Sequence, residues 1–234
     1  VEDGRAAFLS HLQQLRDHAG VRQCFGAVIY RDGWDTDSLA QLNNAGVRVL
    51  RYHAALTHKE PQDIAATVKL LLSGRLGEIL RAQKWALSMQ LPLAVWALLE
   101  DVEWSMMLPG VTVIAEHLAS INVPLSAEAE IHFESILRQM RGGLVVKICA
   151  MHRRMTPGHE VLMENLVRRL ADAGGEQLLW GSDWPHVNSR AAGLAPAPFL
   201  EADAHAELAW LRSNLPPTTF SSMLYSTPER ILCR

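Results

Sequence analysis

Late in the sequence an apolar run, Leu179-Trp-Gly-Ser, delivers an acid, Asp183, and then Trp184-Pro185-His186. A carboxylate at the end of a buried run can take a proton from water, and a nearby imidazole can donate to developing charge. The competing reading makes Asp183 a cap for the next segment and Trp184-Pro185 a turn. A second run, Val113-Ile-Ala, ends in Glu116 and His117. Strand side chains alternate, so one of these two is expected toward a site and the other toward a helix layer. A strand-end histidine is commonly just packed. Beside an acid from another strand tip it becomes half of an acid–base pair or of a metal-ligand set.

A third run, Val145-Val-Lys-Ile-Cys-Ala-Met-His-Arg-Arg154, carries Lys147 mid-strand, where an unpaired charge is costly. Arg153 follows its tip, and Arg51 ends the run Val49-Leu-Arg. Arginines so placed suit bidentate binding of a substrate carboxylate or phosphate, or a salt bridge at the rim. His53, His58, His152 and His159 read as loop residues. Cys149 has no base partner in the sequence and reads as packing. No dinucleotide, phosphate-loop, nucleophile-elbow or zinc-helix motif occurs.

These residues need strands to carry them. Six short apolar runs have strand length: Gly26–Tyr30, Val47–Tyr52, Leu91–Trp96, Val111–Glu116, Leu144–Cys149 and Gln177–Ser182. Helical patterns separate them: Asp37–Asn44 with Thr36 as N-cap, Pro61–Met89 with breaks at Gly74 and Gly77, Ser126–Met140, and Thr156–Ala173. A helix over Arg5–His18 precedes the first run. After the last come an Ala/Pro-rich loop (Ala191–Pro198) and helices over Glu201–Ser213 and Pro217–Leu224. Strands alternating with helices make an α/β fold with a parallel sheet. Six strands fall two short of a closed (β/α)8 barrel, and an open six-stranded sheet is the alternative.

With 234 residues, 49% apolar and 20% charged, the chain can bury a core as a single domain over 1–234. A net charge of −3 offers nothing that recruits nucleic acid or an anionic membrane. Three scattered cysteines point to a reducing, cytoplasmic setting. The longest apolar stretch, Leu91–Leu99, is too short to span a bilayer.

Together these motifs resemble the amidohydrolase superfamily, in the amidohydrolase-related branch that includes 2-pyrone-4,6-dicarboxylate lactonase. A strand of the form LVWGTDWPH is matched by Leu179–His186, and a strand ending VIDH by Val113–His117 with Glu116 for Asp. A KLSxxYR pattern is matched by Lys147–Arg153, with Cys149 for Ser and His152 for Tyr. Leu42–His53 and Thr227–Arg234 resemble two further segments. The resemblance implies a (β/α)8 TIM-barrel type that is N-terminally incomplete, beginning after the family's second strand. It makes His117 the mid-chain histidine and Asp183 the last-strand acid. Arg51 and Arg153 fall at anion-binding positions.

The family's His-X-His pair is absent from the 234 residues. A catalytic zinc needs about three protein ligands and two candidates remain, so no cofactor is expected, with a divalent metal such as zinc the disfavoured alternative. The implied activity is hydrolysis of a carboxylate-bearing lactone or ester by water that Asp183 activates. His117 acts with Asp183, while Arg51, Arg153 and His186 bind a small anionic substrate. The alternatives are a truncated or inactive member, which could pair with copies of itself through open sheet edges, or a metal-dependent decarboxylase of the same superfamily.

Overall fold

The computed structural model describes residues 2–18, 23–30, 33–54, 59–184, 186 and 202–233. His58, Pro185 and the expected loop Ala191–Pro198 lie outside them. In chain order the elements are α1 (Glu2–Asp17), β1 (Gly26–Ile29), α2 (Thr36–Asn44), β2 (Val47–His53), α3 (Pro61–Ser73), α4 (Arg75–Gln83) and β3 (Ala86–Gln90). Next come α5 (Leu93–Leu98), α6 (Trp104–Met107), β4 (Val113–Ala115), α7 (Ala127–Arg141), β5 (Val145–Ile148), α8 (Glu160–Gly174) and β6 (Leu178–Trp180). The chain closes with α9 (Ala204–Asn214), α10 (Pro217–Ser221) and α11 (Thr227–Leu232), the last two joined by a π-type stretch, Ser222–Ser226. No helix among the described residues is long and apolar enough to cross a membrane.

All six strands are parallel and pair in chain order, β1-β2-β3-β4-β5-β6. A doubly wound open sheet reverses its strand order at a switch point. Unbroken sequential order with helical crossovers is instead the pattern of a (β/α)8 barrel wall. The sheet is therefore an arc of an incomplete barrel.

One expected strand is elsewhere. The run Leu91–Trp96 is not a strand: β3 is Ala86–Gln90, and the apolar run forms α5. Pro92, with φ of −56°, stands at the N-cap of α5, where its missing N–H is no loss. Four of the five β3 residues are buried, and a short buried stretch carries no period that separates helix from strand. The N-cap of α2 is Asp35, accepting from Ser38 N–H at 2.8 Å, rather than Thr36. Asp35 accepts from the third residue into the turn as a capping side chain should.

Gly74 does separate α3 from α4, but Gly77 lies inside α4. A Cβ built on Gly77 would stand 1.8 Å from the Leu72 carbonyl oxygen, so glycine is required there by the close approach of α3. Gly77→Ala is expected to destabilise by about 1–3 kcal/mol, because overpacking against backbone outweighs the roughly 1 kcal/mol of helix propensity gained. Urea denaturation would show it, and a more stable variant would contradict the packing argument.

The sheet has two unlike faces. Its outer side packs Leu50, Leu87, Met89, Val146 and Ile148 against the helices, together with the fully buried Trp85, Trp96 and Phe133. The inner positions form two levels. At the lower one Val49, Ala86, Ile114, Val145 and Leu179 meet Ile231 and Leu232 of α11. At the upper one, toward the C-terminal strand ends, the same alternation presents Arg51, Ser88 and Lys147. This polar level over an apolar floor positions the site.

Candidate active site

The three strands β4, β5 and β6 leave the sheet in the same way. Just past each C-terminal end stands a non-glycine residue in the left-handed region: His117 (φ 51°), Ala150 (φ 55°) and Asp183 (φ 60°). Beyond β4 the conformation persists through Leu118, Ala119 and Ser120. Such residues cost of order 1–2 kcal/mol apiece and persist where the surroundings hold them. Here buried Leu118 and Ala119 hold the turn after β4. The left-handed turn defeats simple alternation. His117 does not face the helix layer but feels Glu116, Lys147 and Asp183 at once.

His117 Nδ1 stands 3.9 Å from Asp183 Oδ1, and Arg153 Nε stands 3.4 Å from Asp183 Oδ2. Residues 66 positions apart in sequence thus meet at the strand ends. His186 follows one short turn later, its N–H bonded to the Asp183 carbonyl at 3.0 Å. Its Nδ1 is buried without a hydrogen-bond partner among the described residues. His152 stacks edge-on against it, the ring centroids 5.6 Å apart. His152 is exposed, as expected of a loop residue. Partial burial of its ring, followed by the charge of Arg153, lowers its pKa.

Arg51 reaches a different partner. It pairs with Glu116, whose other oxygen accepts from Ser88 Oγ at 2.8 Å and lies 3.9 Å from Lys147 Nζ. Lys147, the charge set mid-strand, is therefore balanced by an acid on the neighbouring strand. Burial pushes the Glu116 carboxyl up, but Lys147, Arg51 and the hydrogen bonds from Arg51 and Ser88 outweigh it and hold the group below the ordinary carboxylate range.

Desolvation dominates at His117 and lowers its pKa to about 4 against the pull of Asp183 and Glu116. The ring is neutral at pH 7. Cys149, fully buried, has its Sγ 3.4 Å from His117 Nδ1. Burial pushes that thiol up to about 12, so it is an S–H and not a nucleophile. In the arrangement where the thiol donates to Nδ1 the ring proton is on Nε2, and His117 is a neutral donor there.

The depressed His117 pKa has a stability consequence. Below pH 6.5 the unfolded chain binds a proton that the folded one refuses until about pH 4. Stability is therefore lost as pH falls through that window, by about 2–3 kcal/mol from this residue. In urea denaturation between pH 7.5 and 4, His117→Asn, which tolerates the left-handed backbone, is expected to show a flatter profile than wild type. Equal slopes would contradict it.

Sequence reasoning missed Glu207 on α9. It accepts from Met151 N–H at 3.1 Å and Trp180 Nε1 at 3.2 Å, and burial raises its pKa. No local pattern marks it, because its partners lie on two other segments. With Ser182, His152 and His186 it lines a cavity of about 240 Å³ next to Asp183.

An amidohydrolase profile matches residues 2–233 of the chain. The chain belongs to the amidohydrolase family. No curated protein sequence matches it. Among solved structures, one from Pseudomonas putida ascribed to a 2-pyrone-4,6-dicarboxylic acid hydrolase has a TM-score of 0.70 at 20% identity, covering 98% of this chain and 77% of that one. An Acinetobacter baumannii structure ascribed to the same activity, with citric acid bound, gives 0.69 at 15% identity, over 98% and 79%. A zinc-bound amidohydrolase from Burkholderia multivorans gives 0.60 at 12% identity, over 96% and 87%. At these identities the likeness is one of fold.

Metal-dependent amidohydrolases raise the question of what this chain could offer an ion. His117 and Asp183, the two positions to which the resemblance points, stand 3.9 Å apart, and the ten histidines of the sequence include no His-X-His. His152, Asp183 and His186 do bring donor atoms within 4.8 Å of one another. The guanidinium beside Asp183 opposes a cation there. Among the described residues these three are the ones that would hold an ion, at a place that Arg153 disfavours.

Proposed function

We propose that this amidohydrolase opens a lactone or related ester ring that carries a carboxylate. The reading rests on Asp183, a carboxylate flanked at the strand ends by a neutral imidazole and a guanidinium. Asp183 takes a proton from water as the water attacks the ring carbonyl, then returns it to the leaving alkoxide oxygen. His117 donates from Nε2 to the oxyanion that develops, and being neutral it donates without giving up its proton.

Arg153, at the same strand end as Asp183, holds the substrate carboxylate, which fixes the carbonyl against the attacking water. His186 supplies a second ring beside the bound substrate. Arg51 sets the field from below through its pair with Glu116, and the N–H groups not facing Glu116 are its means of touching substrate. The fold likeness to structures ascribed to pyrone dicarboxylate hydrolysis supports the choice of ring ester.

The test is acid release in a pH-stat with mono- and dicarboxylated δ-lactones. Saturable, protein-dependent opening of at least one of them is expected. No turnover across the panel would refute the proposal.

A further inference from the structure

We propose that the substrate carries an uncharged alkyl or aryl arm, held in the cavity beside Asp183, in place of a second carboxylate. The inference rests on the hydrolase reading above and names its substrate class. The cavity of about 240 Å³ is the size of a subsite for one substituent, below the range of a pocket that takes a whole drug-sized ligand. Ser182 and His186, on either side of Asp183 in the chain, both line it, so a ring whose carbonyl faces Asp183 has its far substituent within reach of the cavity.

The wall is apolar and adaptable. Met151, Met155 and Met163 offer thioethers, which fill irregular shapes and favour aromatic contact, and Trp210 closes one side. The carboxylates on that wall are Glu160, Asp203 and Glu207, and the imidazoles of His152 and His186 stand at its Asp183 end. Each carboxylate is already an acceptor that holds local backbone. Glu160 takes Gly158 N–H at 3.2 Å, Asp203 takes His205 and Ala206 N–H at 2.9 Å, and Glu207 takes Met151 N–H at 3.1 Å. Among the described residues no lysine or arginine lines the cavity. A carboxylate entering it would be desolvated and would meet like charge. A hydrocarbon arm loses nothing there and gains burial. The substrate is thus anionic at the Arg153 end and apolar at the other.

The experiment measures kcat/KM for monocarboxylated δ-lactones whose second substituent runs from methyl to pentyl, with the dicarboxylated parent as comparator. We expect a rise of about fourfold per methylene over the first few carbons, with the dicarboxylate at least tenfold below the best alkyl compound. Met155→Lys, at a half-buried position on that wall, should flatten the series and narrow that gap, and Trp210→Ala should flatten it without favouring the dicarboxylate. A flat series in wild type, or a faster dicarboxylate, overturns the inference and leaves lactone hydrolysis standing. Calorimetric titration with the matching cyclic ethers, which cannot be opened, reads the cavity without turnover. Affinity that rises with chain length in wild type but not in Met155→Lys, with no lactone opened, would reject hydrolysis and keep the cavity assignment. Affinity independent of chain length would overturn it.

Discussion

Asp183→Asn is expected to lower kcat by about 10³-fold on any lactone the protein opens, with the fold unchanged. The substitution is close to isosteric, and asparagine accepts the left-handed backbone at φ 60° as readily as aspartate does. It removes only the ability to accept a proton from water. The contact with Arg153 weakens from an ion pair to a dipole, but both side chains are partly solvated, so the stability cost stays below about 1 kcal/mol. Steady-state kinetics alongside thermal melting separates the two effects. A variant within threefold of wild-type kcat would remove Asp183 from the reaction.

The largest stability effect is expected one level lower, at Glu116. Its side chain is 5% exposed and balances both Arg51 and Lys147. Glu116→Ala leaves two cations facing each other across the inner wall, with Ser88 Oγ stripped of its acceptor. Breaking a fully buried pair costs about 3–5 kcal/mol. Arg51 and Lys147 are 34% and 29% exposed, and solvent screens part of that loss, so about 2–3 kcal/mol is the expected figure. Replacing Arg51 and Lys147 with Met in the same chain should restore part of it, since no uncompensated charge then remains. Denaturation midpoints of the single and triple variants test this, and a triple variant no more stable than Glu116→Ala would contradict it.

Acid titration distinguishes the two levels. The depressed Glu116 carboxyl contributes stability that is full above about pH 4.5 and is lost as pH falls through its folded value. The His117 loss comes earlier, between pH 6.5 and 4.

Much of this molecule is legible in the residues alone. Five of the six strand runs, most of the helices between them and the alternation that makes the sheet parallel follow from short β-rich segments bounded by glycine and capping residues, whereas the helix expected over Pro61–Met89 ends at Gln83 and gives way to β3. The identity of Asp183 and His117 as the groups to watch follows from acids and imidazoles set at the ends of buried runs. Leu91–Trp96 was beyond that method, because a run buried on every side looks alike as helix or strand. Only Pro92 and the shift of the sheet to Ala86–Gln90 tell them apart.

What tertiary structure decided is how the charges pair. In one dimension Arg51 and Arg153 look like the same kind of anion clamp. In space the first is bound to Glu116 and the second to Asp183, because sheet register sets Arg51 beside Ser88 and the β4 tip while the β5 tip turns Arg153 toward β6. The left-handed residues at three strand tips, the thiol beside His117 and the acid-lined Met cavity all depend on atoms from distant segments meeting at contact distance. Local sequence dictates which elements form. Pair energies that fall off over a few ångströms are settled only when the sheet brings those elements together.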